Sequence, residues 1–564
     1  MIFYRIKLML LLLPAVMLTN CKKGGSTTPD PIPPPPPAAL LLVNTKLDNI
    51  GPSTTAVNYN VKTNAAVRIS FNNAVDRSSV SAAVFLAENG LFNTPVNFSY
   101  ENNDSTIVVS PAAALKYLTK YVFNAGSLLK SVKGGTLTTA ISFQYNTQID
   151  STDKFPVISD NALLDLVQQQ TFKYFWDYGH PISGLARERS NATPETVTSG
   201  GSGFGIMSIP VAINRSFITR AQGLARMQTI VSFLKNTAQK FHGAFPHWLN
   251  GTSGTVIPFS QKDDGADLVE TSYLMAGLLT ARQYFNGVDA AETNLRSDIN
   301  LLWNAVEWNW FRQGTNNVLY WHWSPNYAWQ MNHKIEGWNE CLITYILAAS
   351  STTYAIPQVV YKEGFARNGA MQNGNSYFGY QLPLGSPNGG PLFFAHYSFL
   401  GINPNGLSDT YANYQTQVTN HTKINYEYCK ANPKGFFGYS NLCWGLTASD
   451  IPNGYNANEP NNDISVISPT AALSSMPYTP VESMNALRFF YYKLGDKIFK
   501  QYGFTDAFSL KDLWYAESFL AIDQGPIIVM IENYRSQLIW NLLTSCPEIK
   551  NGMKNIIGFT APYL

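Results

Sequence analysis

Hydrophobic periodicity changes once along this chain, near Lys154-Phe155-Pro156, and that switch constrains the architecture more than any other feature. Before it, apolar and polar residues alternate in Val67-Arg68-Ile69-Ser70-Phe71, Val96-Asn97-Phe98-Ser99-Tyr100, Thr106-Ile107-Val108-Val109 and Ile141-Ser142-Phe143-Gln144-Tyr145. Side chains of a strand point to opposite faces in turn, so a period of two predicts half-buried strands. Several such runs between turn residues predict an all-β, Ig-like sandwich over 41–150. After the switch the spacing is helical in Leu163–Tyr178, Ile218–Phe241, Ala266–Phe285, Glu292–Glu307, Gly337–Ala349, Tyr411–Ala431, Val481–Tyr502 and Gln524–Leu543. Repeated helical hairpins predict a mainly α domain over 155–564, an (α/α)6 toroid or barrel, with an irregular helical bundle as the alternative. Long Gly/Asn/Pro/aromatic loops join the helices and carry the tryptophans, and loops of that length in a compact domain are usually functional.

The first residues read as a processing signal. Arg5 and Lys7 precede an apolar run from Leu8 to Leu18, too short for a membrane span, which ends in Leu18-Thr19-Asn20-Cys21. That is the pattern of a bacterial lipoprotein signal over 1–21, with Cys21 as the lipidated residue. The stretch 22–40, with Pro31 and Pro33 to Pro37, favours extended polyproline conformations and reads as a stiff tether. A lipid-anchored protein of the bacterial cell envelope is expected, touching the membrane only through its anchor. Lys22-Lys23 leans toward the periplasmic side rather than the cell exterior.

Composition narrows the partners. Charged residues are 13% and aromatics 13%, and the net charge is +2 with no long Lys/Arg run. Nucleic acid binding needs a basic stripe, so it is not expected. Few charges among many aromatics suit carbohydrate. Cys341, Cys429, Cys443 and Cys546 lack metal-ligand spacing, and the seven histidines form no HxxxH or HExxH element, so no metal and no cofactor is expected. Cys429 and Cys443 are the pair closest in sequence, but spacing alone assigns no disulfide.

Three segments carry acids in unusual settings. In KDDGADLVETSYLMAGLL, Lys262 to Leu279, Asp263, Asp267 and Glu270 stand at i, i+4 and i+7, which on a helix puts them on one stripe. Like charges at that spacing repel, and no lysine intervenes before Arg282, so the acidic end suits a cleft. Capping by Asp263 or Asp264 is the plainer explanation. Between Tyr320 and Glu340, Glu336 and Glu340 flank Gly337-Trp338-Asn339, beside Trp321, Trp323, Tyr327 and Trp329. Flat aromatic faces stack on sugar rings, and a carboxyl roofed by them is desolvated, which raises its pKa toward that of a general acid. A core aromatic cluster would look the same. Asp523 stands alone among Leu520-Ala521-Ile522 and Gly525-Pro526-Ile527-Ile528, so it must be paired, capping or functional. Pro526 marks a helix start, which favours capping.

The elements TFKYFWD (171 to 177), SGLARERS (183 to 190), GGSGFGIMSI (200 to 209), DDGADLVETSYL (263 to 274), GWNE (337 to 340), WGLTASD (444 to 450) and IDQGPIIVMIENYRS (522 to 536) resemble the glucoamylase-like domain. More narrowly they resemble the bacterial β-1,2-glucanases of glycoside hydrolase family 144, in the same order over roughly Leu163 to Ile557. The order FNNAVDRSSV, strand, SPAAALKYLTKYVFNAG resembles bacterial Ig-like modules, whose expected role is a spacer. The catalytic resemblance implies an (α/α)6 barrel that hydrolyses linear β-1,2-glucan with inversion. It implies Glu340 as general acid, and Asp523 on the base side with Asp263 as the alternative. Asp267 and Glu270 are implied to bind glucose hydroxyls, and Arg187, Arg189, Arg215 and Asp450 to balance charge or hold sugar. Trp321, Trp323, Trp329, Glu336, Trp338 and Trp444 are further substrate-binding candidates. One departure lies in Ala212-Ile213-Asn214-Arg215, where an acidic residue is expected before the arginine.

An inverting hydrolase needs its acid and base carboxyls about 6.5–9.5 Å apart, against about 5 Å for a retaining one. The alternatives are a non-catalytic glycan-binding lipoprotein, which need not keep acids in three motifs, and another enzyme on the same fold, an α-glucan hydrolase or a uronate lyase. A nearly neutral, acid-rich site favours a neutral sugar, and a monomer is expected. The loops Gly369 to Pro391 and Pro452 to Pro469 are the candidates for closing the cleft and setting internal against end-on attack.

Overall fold

The computed structural model describes residues 37–564. The signal segment 1–21 with Cys21, and the tether 22–40 up to residue 36, lie outside the described residues.

Two sheets face each other at the N-terminal end. One has strand order Leu42–Leu47, Val67–Phe71, Thr106–Pro111, Val96–Glu101, all antiparallel. The other runs Asn58–Val61, Ile141–Thr147, Lys120–Ala125, Val84–Glu88, Phe92–Thr94, with its first pair parallel. Alternate residues Val67, Ile69 and Phe71 from one sheet meet Tyr121, Phe123 and Phe143 from the other in a shared core. The period-two runs thus bury one face of each sheet against the other. Tyr59 stacks on Phe437, and Asn146 Nδ2 donates to the Lys511 carbonyl, joining the sandwich to the helical part.

Beyond residue 155 the chain is mainly helical and in two layers. Ser199–Asn214, Leu268–Tyr284, Leu342–Ser350, Pro469–Leu473 and Ala521–Ser536 are buried nearly all round. Asp160–Trp176, Arg220–Asn236, Ala290–Ala305, Tyr414–Ala431 and Pro480–Ile498 bury one face only. The two kinds alternate along the chain, and Leu268–Tyr284 packs on Ala290–Ala305, Pro469–Leu473 on Pro480–Ile498 and Ala521–Ser536 on Asp160–Trp176. Helices buried all round show no polar stripe.

That rule explains the helix the sequence reading omits. Ser199–Asn214 begins Ser-Gly-Gly-Ser-Gly and contains Pro210, a composition that reads as loop. The glycines serve close approach. A Cβ on Gly203 would lie 2.1 Å from the Tyr273 carbonyl oxygen, and one on Gly277 would lie 2.2 Å from that of Gly203, so the helix packs backbone to backbone on Leu268–Tyr284. Other boundaries also differ. The expected helix Ala266–Phe285 starts at Leu268, Gly337–Ala349 starts at Leu342, and Gln524–Leu543 divides at Gln537, which has a left-handed backbone. Among the described residues no helix is long and apolar enough to cross a membrane. Cys341, Cys429, Cys443 and Cys546 are buried free thiols.

Candidate active site

Loops at one end of the inner helices enclose a cleft of about 540 Å³. Its walls are Trp248, Phe259, Trp321, Phe393, Tyr397 and Tyr455, and Glu188, Arg189, His247, Glu270 and Glu340 supply the charge.

Of Asp263, Asp267 and Glu270 only Glu270 lines the cleft, and the three do not form a helical stripe. Asp267 is the N-cap of Leu268–Tyr284: its Oδ1 accepts from Val269 N at 3.0 Å and Glu270 N at 2.9 Å. Capping therefore falls to Asp267, not to Asp263 or Asp264. Asp263 lies in the turn before it, with Oδ2 3.4 Å from His322 Nε2 and a buried Oδ1 that has no partner. Asp267 Oδ2 receives His247 Nδ1 at 3.0 Å. Burial favours neutral Asp267, but the His247 hydrogen bond, His322 and the capping amides outweigh it and hold the carboxylate below its ordinary range. Burial likewise lowers His247, yet Glu270, Asp267 and Asp263 outweigh that and push it up to about 9. Asp267 and His247 are thus an ion pair, with His247 on the cleft wall and Asp267 fully buried behind it. Burial, then the Asp267 charge, push Asp263 up, and burial pushes His322 down to about 4. His247, Asp263 and Asp267 offer ligand atoms within 4.8 Å of one another, a trio that sequence spacing does not reveal.

Glu270, one turn into the helix, reaches across to Ser199–Asn214. Its Oε2 accepts from Gly200 N at 2.8 Å, so the carboxyl sits on the positive end of that helix. Burial raises its pKa above the ordinary carboxylate value. Glu340 enters from a turn ahead of Leu342–Ser350. Gly337 takes a left-handed φ of 78° there, and its amide donates to Phe365 O at 2.8 Å. Trp338 anchors the turn by packing on Phe399 and Tyr414. Burial, then the neighbouring Glu270 and Asp267 charges, push the Glu340 carboxyl up to about 7, while its own amide opposes. A carboxylic acid that stays protonated to near-neutral pH while facing a cleft can donate a proton.

A second acidic group backs the opposite wall. Arg189 Nε donates to Glu188 Oε2 at 3.0 Å and its Nη1 to Asp450 Oδ1 at 2.9 Å. Ser518 Oγ donates to Asp450 Oδ2, and Asp450 N to Asp506 Oδ2 at 2.6 Å. Asp523 lies in the first turn of Ala521–Ser536, only 2% exposed, behind a wall to which Tyr397, Tyr455, Leu520 and Ile522 contribute. The N-cap is Leu520, so Asp523 does not cap the helix. Burial, then Asp506, push its carboxyl well up.

Several expected sugar contacts lie elsewhere. Arg215, at the far end of Ser199–Asn214, is held by the buried Glu532 through Nε at 2.7 Å and Nη2 at 3.0 Å. Asn214 donates to the same carboxylate at 3.0 Å, so the departure before Arg215 concerns a structural tie and not the cleft. Arg187 holds the Tyr178 and Pro194 carbonyls and stacks on Tyr178. Trp444 is fully buried, with Nε1 donating to Glu482 O, and Trp338 is core as well. Both tryptophans fail as sugar platforms because neighbouring helices cover their faces. Trp323 and Trp329 pack around Trp310 instead of lining the cleft, and Glu336 is exposed. Of the two loops, Pro452–Pro469 supplies Tyr455 and Ala457 to the cleft, while Gly369–Pro391 supplies none of its lining. His247, Trp248, Phe259, Tyr397 and Asp506 escape sequence reasoning, since each stands singly in a loop or short segment without a motif.

A helical domain with aromatic walls and three groups of buried acids, preceded by an Ig-like sandwich, defines a glucoamylase-like domain behind a bacterial Ig-like domain. The Glycoamylase family model, described as "Putative glucoamylase", matches residues 332–547, and the Bacterial Ig-like domain model matches residues 45–147. The chain is 52% identical to a crystallised endo-β-1,2-glucanase from Chitinophaga pinensis, with TM-score 0.71, covering 72% of this chain and 100% of that one. It is 37% identical to a β-1,2-glucanase from Parabacteroides distasonis, with TM-score 0.69, covering 92% of this chain and 73% of that one. An exo β-1,2-glucooligosaccharide sophorohydrolase of Parabacteroides distasonis is 45% identical over 443 residues, 74% of this chain, and the match spans 61% of that relative's own length. The chain belongs to the glucoamylase-like family that includes these proteins.

Proposed function

We propose that this protein is a glycoside hydrolase that cleaves linear β-1,2-glucan with inversion at the anomeric carbon. The observation that carries the reading is Glu340, a carboxyl pushed up to about 7 that faces an aromatic-walled cleft. The β-1,2-glucan activities named for its relatives support the linkage. In this reading Glu340 gives its proton to the glycosidic oxygen as the bond from the anomeric carbon breaks and its electron pair leaves with that oxygen. Water adds to the anomeric carbon from the opposite face and loses a proton to Asp523, with Asp263 the alternative acceptor. Glu270, on the cleft wall, holds a glucose hydroxyl, while Asp267, fully buried with both oxygens engaged, fixes His247 and the helix N-terminus instead of touching sugar. Trp321 and Trp248 cover the C–H faces of the rings, and Arg189 with Asp450 orders the opposite wall.

The alternation of inner and outer helices supports an (α/α)6 toroid. We further place the protein, as a monomer, in the bacterial cell envelope, anchored through Cys21. Loss of membrane association in Cys21→Ala tests the anchor.

Incubating the mature chain with linear β-1,2-glucan and separately with starch, following products by NMR, tests the activity. Cleavage of the β-1,2-glucan alone with α-anomers appearing first is the expected result. Sophorose as sole early product means release from an end, and a ladder of sizes means internal cleavage. No cleavage of either polymer overturns the reading in favour of a binding protein.

A further inference from the structure

We propose that a polar pocket beside the cleft, bounded by Arg189, Asn191, Asp450, Trp514 and Glu517, is a second sugar-binding site that holds units of the glucan chain beyond those in the cleft. The inference rests on the reading of the protein as a glucan hydrolase and lengthens the reach of that site.

The pocket measures about 470 Å³, within the range of about 300–1,000 Å³ typical of small-molecule sites. One hairpin divides it from the cleft. The strands Ala448–Ile451 and Gly454–Ala457 pair antiparallel, with Ile451 opposite Gly454 at the tip. Ala448, Tyr455 and Ala457 line the cleft, whereas Asp450, Ile451 and Gly454 line the pocket. Arg189 lines both cavities. Its Nε donates to Glu188, a cleft residue, at 3.0 Å, and its Nη1 to Asp450, a pocket residue, at 2.9 Å. A chain that leaves the cleft past this guanidinium meets the pocket.

The groups around the pocket suit a neutral, polyhydroxylated ligand. Ser518 Oγ donates to Asp450 Oδ2 and Arg189 to Oδ1, which fixes the carboxylate, and each carboxylate oxygen accepts more than one hydrogen bond. Arg189 Nη2 carries two N–H groups that no residue accepts among the described residues. Asn191 and Glu517 are exposed, and neither side chain is hydrogen-bonded or ion-paired among the described residues. Trp514 is half-buried and stacks on no other aromatic ring among the described residues, whereas Trp323 and Trp329 both pack on Trp310. An indole can cover the C–H face of a pyranose while amide, guanidinium and carboxylate groups take its hydroxyls.

Charge rules against other ligands. One guanidinium faces the Asp450 and Glu517 carboxylates across the lining, and Glu188 neutralises it further, so a phosphate or a uronate is repelled. An apolar ligand would strip these polar groups of water without replacing their hydrogen bonds. A neutral sugar does neither. Units held here add affinity to long chains and nothing to chains too short to span both cavities.

The test is a calorimetric titration of Glu340→Gln protein, which holds its ligand uncleaved, with β-1,2-glucooligosaccharides of increasing length from sophorose upward and with maltooligosaccharides alongside. The quantity read is the ratio of the affinity for the longest chain to that for the shortest. Adding Trp514→Ala should lower that ratio about three- to tenfold, through loss of one stacking face, and Trp514→Phe should restore most of it. Adding Glu517→Ala, at an exposed side chain whose loss leaves the fold intact, should lower it about threefold. A ratio unmoved in both Trp514→Ala and Glu517→Ala overturns the subsite, and equal weakening at every length counts as unmoved. Binding of the maltooligosaccharides alone, with their length increment lost in Trp514→Ala, upholds the pocket as a sugar site and overturns the β-1,2 linkage. Binding of neither series overturns the subsite together with the glucan reading on which it rests.

Discussion

Gly203→Ala adds one methyl group where two inner helices meet, and its cost can be worked from the contact. The new Cβ would stand 2.1 Å from the Tyr273 carbonyl oxygen and 2.4 Å from its carbon. Carbon and oxygen approach comfortably at about 3.3 Å, so Ser199–Asn214 and Leu268–Tyr284 must part by roughly 1.2 Å. Nothing cheaper can yield, because the opposing atoms are helix backbone. Overpacking of this kind costs about 3 kcal/mol, and the better helix propensity of alanine returns about 1 kcal/mol. The net loss is about 2 kcal/mol, a fall in Tm of about 4 °C or somewhat less for so large a domain. The same separation stretches the 2.8 Å bond from Gly200 N to Glu270 Oε2, which spans these two helices one turn away. Loss of a hydrogen bond to a charged group is worth about 1.5 kcal/mol, so kcat/KM on β-1,2-glucan should fall roughly tenfold. Thermal melts and reducing-sugar release measure both. Gly277→Ala should behave alike, and the double variant should cost less than the sum, since helices already parted accommodate the second methyl. Wild-type melting and activity in Gly203→Ala would refute the packing argument.

Glu340→Gln should keep the fold and lower kcat by about 10²–10⁴, the usual share of a general acid; near wild-type turnover rejects the role. Because the working form of Glu340 is protonated, kcat should decline as pH rises through about 7, and a pH–rate profile flat across that range contradicts the assignment. His247 has its pKa raised from 6.5 to about 9, so its ion pair with Asp267 stabilises the fold fully below pH 6.5 and ceases to as pH rises through 9. His247→Gln should therefore melt earlier than wild type at pH 6 by the equivalent of about 1–2 kcal/mol, a figure reduced for its partial exposure, and the difference should vanish above pH 9. Trp321→Ala should raise KM about three- to tenfold with kcat little changed, from the loss of one aromatic stacking face; an unaltered KM would remove Trp321 from the binding wall.

Two domains and their classes are legible without coordinates, because strand and helix periods record which side of a local element faces a core. The strand Val67–Phe71 coincides with its alternating run, and the helix Asp160–Trp176 overlaps its periodic one. The acids of DDGADLVE, GWNE and IDQG are legible too, since a carboxyl in an apolar run must be accounted for chemically. Periodicity is silent where an element has no exposed face or where glycine is chosen for closeness. Ser199–Asn214, the helix whose amide holds Glu270, was hidden for that reason.

Residue types, local periods and the presence of unusual acids thus belong to the sequence by itself. Which acids meet belongs to the tertiary structure. Asp450 and Asp506 are 56 positions apart in elements without a common period, yet the buried Asp450 amide donates to Asp506 Oδ2. Arg215 and Trp444, equally prominent in their motifs, are turned to Glu532 and to the core. Long-range packing selects among side chains that local physics leaves equivalent, because burial and the partner facing each group determine its charge, and both arrive from distant parts of the chain.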